Sequence, residues 1–321
     1  MPRAAVNGIE IEYETVGDPS DPTLLLVMGL GAQLVAWDDD FTDSLAGRGF
    51  RVIRFDNRDV GLSTHLSEQA VSREEMLRVA RRAQFRLPVE VPYGISDMAA
   101  DAAGLLGTLG IERAHVAGVS MGGMIAQQLA IDFPDKVLSL TSAMSTTGEK
   151  YVGTAHLRVL RMLAKPGGTT LDDVVDGELA MWRLIGTRGT FDADVFVQRI
   201  TRAYHRAFDP DGVTRQTMAV LAAPSRANGL RNLRVPTTVV HGTADPLVNV
   251  TGGLRTAWLV PGADLYLLRG HGHDLPISAP DRFTDAIVAT CARASRVATG
   301  EALPASTQPG RHADAIGASA K

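Results

Sequence analysis

The chain alternates short, apolar runs with longer amphipathic ones. Leu24–Met28, Phe50–Phe55, His115–Val119, Val137–Ala143, Thr237–His241 and Asp264–Leu268 each read as a short strand. Leu24–Met28 has no polar position, as expected of a strand buried on both faces. Helical segments are predicted near 38–48, 97–109, 121–133, 253–258 and 281–293. Gly49, Gly110 and Pro134 end three of them. Asn7-Gly8, between Ala4–Val6 and Ile9–Tyr13, is the favoured pair for a type I′ hairpin turn. Ser72-Arg73-Glu74-Glu75 is a capping box opening a helix to about Phe85. Its arginines (Arg73, Arg78, Arg81, Arg82, Arg86) read as a solvated face in preference to an anion site.

Strands alternating with helices predict an α/β fold, a mostly parallel sheet covered on both faces. The rhythm breaks from about Thr146 to Asn228. No good strand occurs there, and helical stretches fall near Ala155–Ala164, Leu171–Ile185, Ala193–Phe208 and Val213–Ala222. A helical block between two stretches of the alternation is expected to be an inserted cap. The expected division is a core over 1–145, a cap over 146–228, the rest of the core over 229–298, and a disordered tail over 299–321.

Length and charge narrow the picture. The 321 residues exceed one average domain, and an inserted cap accounts for the excess. A net charge of −4 gives no ground for a nucleic-acid partner. The lone Cys291 excludes an internal disulfide and a cysteine-based zinc site. The longest uncharged apolar stretch, Thr23–Trp37, falls short of the roughly 20 residues of a membrane-spanning helix. The N-terminus lacks the apolar core of a secretory signal. A cytoplasmic protein with no transmembrane segment is expected, and a homodimer is left open.

Gly118-Val119-Ser120-Met121-Gly122 fits G-x-S-x-G. The motif alone is weak, but here it follows a buried strand and opens an apolar helix, the setting of a nucleophile elbow. A serine hydroxyl needs a base, and the base an orienting carboxylate. Asp245 in His241-Gly242-Thr243-Ala244-Asp245-Pro246 follows one strand, and Gly270-His271-Gly272-His273-Asp274 follows the next. That supplies the order serine, acid, histidine, with His271 and His273 both open as the base. Asp274 is too close in sequence to His273 to fold back onto its ring. His241 is expected to be structural. The spacing of His241, Asp245, His271, His273 and Asp274 matches no standard zinc pattern, so no metal and no cofactor are expected. An oxyanion needs two backbone N–H donors. Met121 at the helix N-terminus is one candidate, and Leu30 in Met28-Gly29-Leu30-Gly31 is the other.

These segments, with Arg54-Phe55-Asp56-Asn57-Arg58-Asp59-Val60-Gly61-Leu62-Ser63 and Gly270–Pro276, resemble the α/β-hydrolase fold family over about residues 4–295. Within it the chain most resembles small esterases of the aclacinomycin methylesterase type. The resemblance implies a Ser120–Asp245–His273 triad, with the base after the second glycine of its loop. It implies that the 56–63 loop supports the site. Many relatives carry His-Gly where this chain has Met28-Gly29, so the hydrogen bonds around the oxyanion loop must differ. A serine nucleophile argues against dehalogenase or epoxide-hydrolase chemistry, whose members use a carboxylate there. The expected activity is hydrolysis of a small, apolar carboxylic ester. The alternatives are a thioester, lactone, amide or carbon–carbon bond, cofactor-free perhydrolysis, or, from another class, a binding protein of this fold. Met162, Met181, Trp182 and Phe196 either line the pocket or pack the cap.

Overall fold

The computed structural model describes residues 2–68, 71–85, 87–164, 167–275 and 280–298. β1 (Arg3–Val6) and β2 (Ile9–Val16) form the hairpin, with Asn7 and Gly8 at φ 47° and 77° as a type I′ turn requires. Then come β3 (Thr23–Val27), α1 (Asp39–Ala46), β4 (Arg51–Phe55), α2 (Arg73–Gln84) and α3 (Ile95–Thr108). These lead to β5 (Ala114–Val119), α4 (Met121–Asp132) and β6 (Val137–Ala143). Helices α5 (Leu157–Leu163), α6 (Leu171–Ile185), α7 (Ala193–Arg206), α8 (Pro210–Ala222) and α9 (Ala227–Asn232) lie between β6 and β7 (Thr237–Gly242). The chain closes through α10 (Thr251–Leu259), β8 (Asp264–Leu268) and α11 (Pro280–Ala298).

The strands form one sheet in the order β1-β2-β4-β3-β5-β6-β7-β8. The first two are antiparallel to their neighbours, and every pairing from β4 to β8 is parallel. Every residue of β3 and β5 is buried. Alternation along β3 decides which face each side chain serves. Leu25 and Val27 join Met98, Leu105, Ile125 and Leu129 beneath α3 and α4. Leu24 and Leu26 join Trp37, Leu45, Phe283 and Ile287 beneath α1 and α11. Parallel strands bring their carboxyl ends to one edge of the sheet, and the loops leaving that edge carry Met28–Gly31, Ser120, Asp245 and His273.

The predicted strands and long helices are found within a few residues of their expected bounds. The capping box is present, with Ser72 N–H donating to Glu75 Oε2 at 2.9 Å and Glu75 N–H to Ser72 Oγ at 3.2 Å. Arg78, Arg81 and Arg82 are exposed, as a solvated face requires; Arg86 and the Arg73 side chain lie outside the described residues. Helix α9 was not expected: six residues holding only Ala227 and Leu230 buried give too short a period to read. Helix α11 runs past Arg293 because Ala294-Ser295-Arg296-Val297-Ala298 contains no breaker. The tail 299–321 lies outside the described residues. No helix among the described residues is long and apolar enough to cross a membrane.

Helices α7 and α8 are tied to the sheet domain by charge. Arg206 on α7 pairs with Asp56 at 2.7 Å, and Arg215 on α8 with Asp59 at 2.8 Å. Arg199 reaches Asp38, and α8 packs on α2. Within the inserted helices, Trp182 and Phe191 both pack against the ring of Phe196, at 5.3 and 4.9 Å between centroids. Trp182 and Phe196 therefore pack the inserted helices against each other.

His115, in the middle of the sheet, pairs with Ser139 Oγ at 2.8 Å. Burial, with a smaller push from Arg113, lowers its pKa from 6.5 to about 4. Below pH 6.5 the unfolded chain takes up a proton that the folded chain refuses until about pH 4. Stability should therefore fall as pH drops through that window, by up to about 3 kcal/mol from this group. Urea unfolding between pH 7 and 4 should show His115→Gln losing less stability on acidification than wild type. Equal losses would contradict the assignment.

Candidate active site

Ser120 stands between β5 and α4 with φ 56° and ψ −120°, a conformation costly for a residue bearing a Cβ. Its neighbours hold it there. Ser120 N–H donates to Ala143 O at 2.9 Å, and its carbonyl accepts Ser145 Oγ–H at 2.8 Å. The flanking glycines are required by close backbone approach. A Cβ on Gly118 would lie 2.1 Å from Gly122 O, and one on Gly122 would lie 2.1 Å from Val27 O.

The structure brings Ser120, Asp245 and His273 together. His273 Nδ1 is 2.6 Å from Asp245 Oδ2, and Nε2 is 3.0 Å from Ser120 Oγ. A carboxylate only accepts, so Nδ1 carries the proton and Nε2 is left to accept the serine O–H. Asp245 is aimed by its own loop, its Oδ1 accepting the Leu247 and Val248 amides at 2.9 and 2.8 Å. Asp245 and His273 are buried, and Ser120 is partly exposed.

The other candidates are placed elsewhere. His271 Nε2 is buried with no partner among the described residues, and its carbonyl accepts Ala244 N–H. Asp274 Oδ1 accepts the Thr187 amide and hydroxyl at 2.8 and 2.7 Å. His241 Nε2–H donates to Val248 O at 2.8 Å. Its burial lowers its pKa, so it braces the Asp245 loop as a neutral ring. Leu30 follows Gly29, where a Cβ would lie 3.3 Å from Ser120 Cβ, so the 28–31 loop passes over the serine. The Met121 amide is among the N–H groups that the first turn of α4 leaves unpaired, at the positive end of the helix dipole.

The 54–63 loop shows why its residue types recur together. Arg54 bonds Glu14, Asp39 and the Trp37 carbonyl. Asp56 accepts the Leu34 and Leu62 amides at 2.6 and 2.8 Å, and Arg206. Burial pushes the Asp56 carboxyl up, and those amides and Arg206 pull against it. Asn57 Nδ2 donates to Met28 O at 3.0 Å. Arg58 forms a bidentate pair with Asp101 at 2.6 and 2.7 Å. Asp59, His65 and Asp209 bring ligand atoms within 4.8 Å of one another, but Arg215 pairs with both carboxylates and supplies the positive charge itself.

Sequence reasoning missed the residues that act from the inserted helices. Ile185 O accepts His273 N–H at 2.7 Å, and Thr187 Oγ1 accepts Gly272 N–H at 3.0 Å. Gln33 Nε2 donates to the Ala203 and Ala207 carbonyls, both at 2.7 Å. Most of these bonds engage main-chain groups, which leave no pattern in side-chain identity.

The chain matches the alpha/beta hydrolase fold family over residues 22–280, and it belongs to that family. It is 29% identical to rhodomycin D methylesterase of Streptomyces peucetius over 312 residues, which is 90% of this chain and 98% of that one. It is also 29% identical, over 60% of its length and 68% of the relative's, to a 2-hydroxy-6-oxononadienedioate/2-hydroxy-6-oxononatrienedioate hydrolase of a Pseudomonas species. Among solved structures, the enol-lactonase of Burkholderia xenovorans LB400 superposes with a TM-score of 0.69 at 22% identity, covering 91% of this chain and all of its own. The eight-stranded sheet is thus the sheet of an α/β hydrolase.

Gly122→Ala should cost about 1–3 kcal/mol or more, because its Cβ would press on the β3 backbone and not on a movable side chain. Gly107→Ala in α3, where a Cβ meets nothing within 4 Å, should be neutral or stabilise by about 0.4–1 kcal/mol. Urea unfolding of the two variants checks the contrast; similar effects would refute it.

Proposed function

We propose that this α/β hydrolase cleaves a carboxylic ester through an acyl-enzyme. The observation that carries the reading is the unbroken chain of hydrogen bonds from Ser120 Oγ through His273 to Asp245. His273 Nε2 takes the Ser120 proton as Oγ attacks the ester carbon. The Leu30 and Met121 amides receive the negative oxygen. His273 then protonates the leaving alcohol, and in the second half it activates the water that releases the acid. Asp245 holds the productive tautomer and stabilises the ring while it is charged. No cofactor enters either half.

The similarity to a methylesterase along 98% of that enzyme supports an ester with a small alcohol part, so methyl esters are the first class to assay. Hydrolases of the same name as the Pseudomonas enzyme that match nearly as much of this chain do so at 24–25% identity, against 29% for the methylesterase, which favours the ester. Residues 146–228 act in this reading as a cap over Ser120, dividing the core into 1–145 and 229–298. The support is that α6 and the turn after it hold the His273 loop through Ile185 O and Thr187.

A fluorophosphonate probe should label wild type and spare Ser120→Ala, and the same pair should differ in turnover of methyl and p-nitrophenyl esters. Folded wild type that takes no label sinks the reading. Turnover retained by Ser120→Ala removes serine as the nucleophile.

A protonated imidazole cannot accept the serine proton, so kcat/KM should fall on acidification, and a flat profile to about pH 4.5 would rule out a histidine base. His273→Ala should lose about 10³-fold or more in kcat/KM. His271→Ala should stay within about tenfold of wild type, and the reverse order would exchange the two roles.

A further inference from the structure

The 28–31 loop is held by side chains from outside it. Asn57 anchors its start at Met28 O. Its far end is held from α8. Gly31 N–H donates to Gln216 Oε1 at 2.8 Å, and Gln216 Nε2 donates to Arg58 O at 2.8 Å. Gln216 is fully buried. Its amide orientation is forced, because the Gly31 N–H can only donate and the Arg58 carbonyl can only accept. Val213, one turn earlier on α8, fills the space a Cβ on Gly31 would need: the nearest methyl would be 3.2 Å away. Gly31 has φ +68°, so the loop is both turned and pinned at this residue.

We propose that Gln216 is a positioning residue for the oxyanion hole. Fixing the Gly31 N–H fixes the plane of the Leu30–Gly31 peptide. That leaves the neighbouring Leu30 N–H little freedom to swing away from the oxygen above Ser120. The bond from Nε2 to Arg58 O keeps the amide from rotating out of this role. Arg215, the preceding residue, is paired with Asp59, so the side chain works from a fixed helix. The proposal rests on the serine-triad reading above.

The test compares Gln216→Met, which keeps the length and loses both bonds, with Gln216→Glu, which keeps an acceptor for Gly31. The readouts are steady-state kinetics on a p-nitrophenyl ester, the rate of fluorophosphonate labelling, and inhibition by phenylboronic acid, whose adduct on Ser120 is tetrahedral. Gln216→Met should lower kcat by about 10- to 100-fold, part of the 10²–10³-fold that loss of a whole donor costs. KM should stay within about twofold. Boronate affinity should fall with kcat, affinity for the product acid should not, and the acid limb should not move. Gln216→Glu should lie between Gln216→Met and wild type, and it decides by the same readouts if Gln216→Met does not fold. Wild-type kcat in either folded variant overturns the proposal, as does a loss carried by KM. Wild type that fails to label overturns the triad reading instead. Wild type and Gln216→Met labelling equally fast overturns this proposal alone.

Discussion

Two fully buried carboxylates, Asp56 and Asp59, set the terms for the rest of the molecule. A buried charge must be paired and hydrogen-bonded or it costs several kcal/mol. Here the partners come from three directions. The loop after β3 gives Asp56 the Leu34 amide, the 56–66 segment gives the Leu62 and Leu66 amides, and helices α7 and α8 give Arg206 and Arg215. Satisfying these two groups therefore fixes the loop after β3, the 56–66 segment and the inserted helices relative to one another.

The parallel sheet supplies the second half of the design. Its carboxyl edge collects loops that are remote in sequence, so Ser120, Asp245 and His273 meet although the first and last are 153 residues apart. Ser120 is one of several non-glycine residues at positive φ, with Asp59 and Met144 nearby, and packed glycines and the Ala143 and Ser145 bonds hold it there. Around it, main-chain groups aim Asp245 through the Leu247 and Val248 amides and hold His273 through the Ile185 carbonyl.

Much of this was legible in the sequence, for physical reasons. Uninterrupted apolar runs such as Leu24–Met28 announce buried parallel strands, and the glycines around Ser120 announce a backbone under compression. The meeting of Ser120, Asp245 and His273 could be anticipated because the three sit at strand ends in a fixed order. The two histidines of the glycine-rich loop, His271 and His273, look alike in sequence, and only in the fold does His273 meet Asp245 and Ser120 while the Ile185 carbonyl receives its amide. Gln216 was invisible because a lone glutamine on an amphipathic helix looks like any solvated residue. Its burial and its two partners exist only once α8 lies against the 28–31 and 56–63 loops. Helix α9 was missed for the opposite reason, since six residues offer too little periodicity.

The inserted helices touch the His273 loop at one end, through Ile185 and Thr187, and the 28–31 loop at the other, through Gln216. This couples two properties usually treated as separable. Exchanging the 146–228 segment for one from another hydrolase would therefore also remove anchors of the His273 and 28–31 loops. A graft that left those anchors in place and varied only the residues between them would keep the machinery while altering its diet. The same coupling would steer natural divergence, letting the interior of the inserted segment drift while its few anchoring positions stayed tied to the sheet.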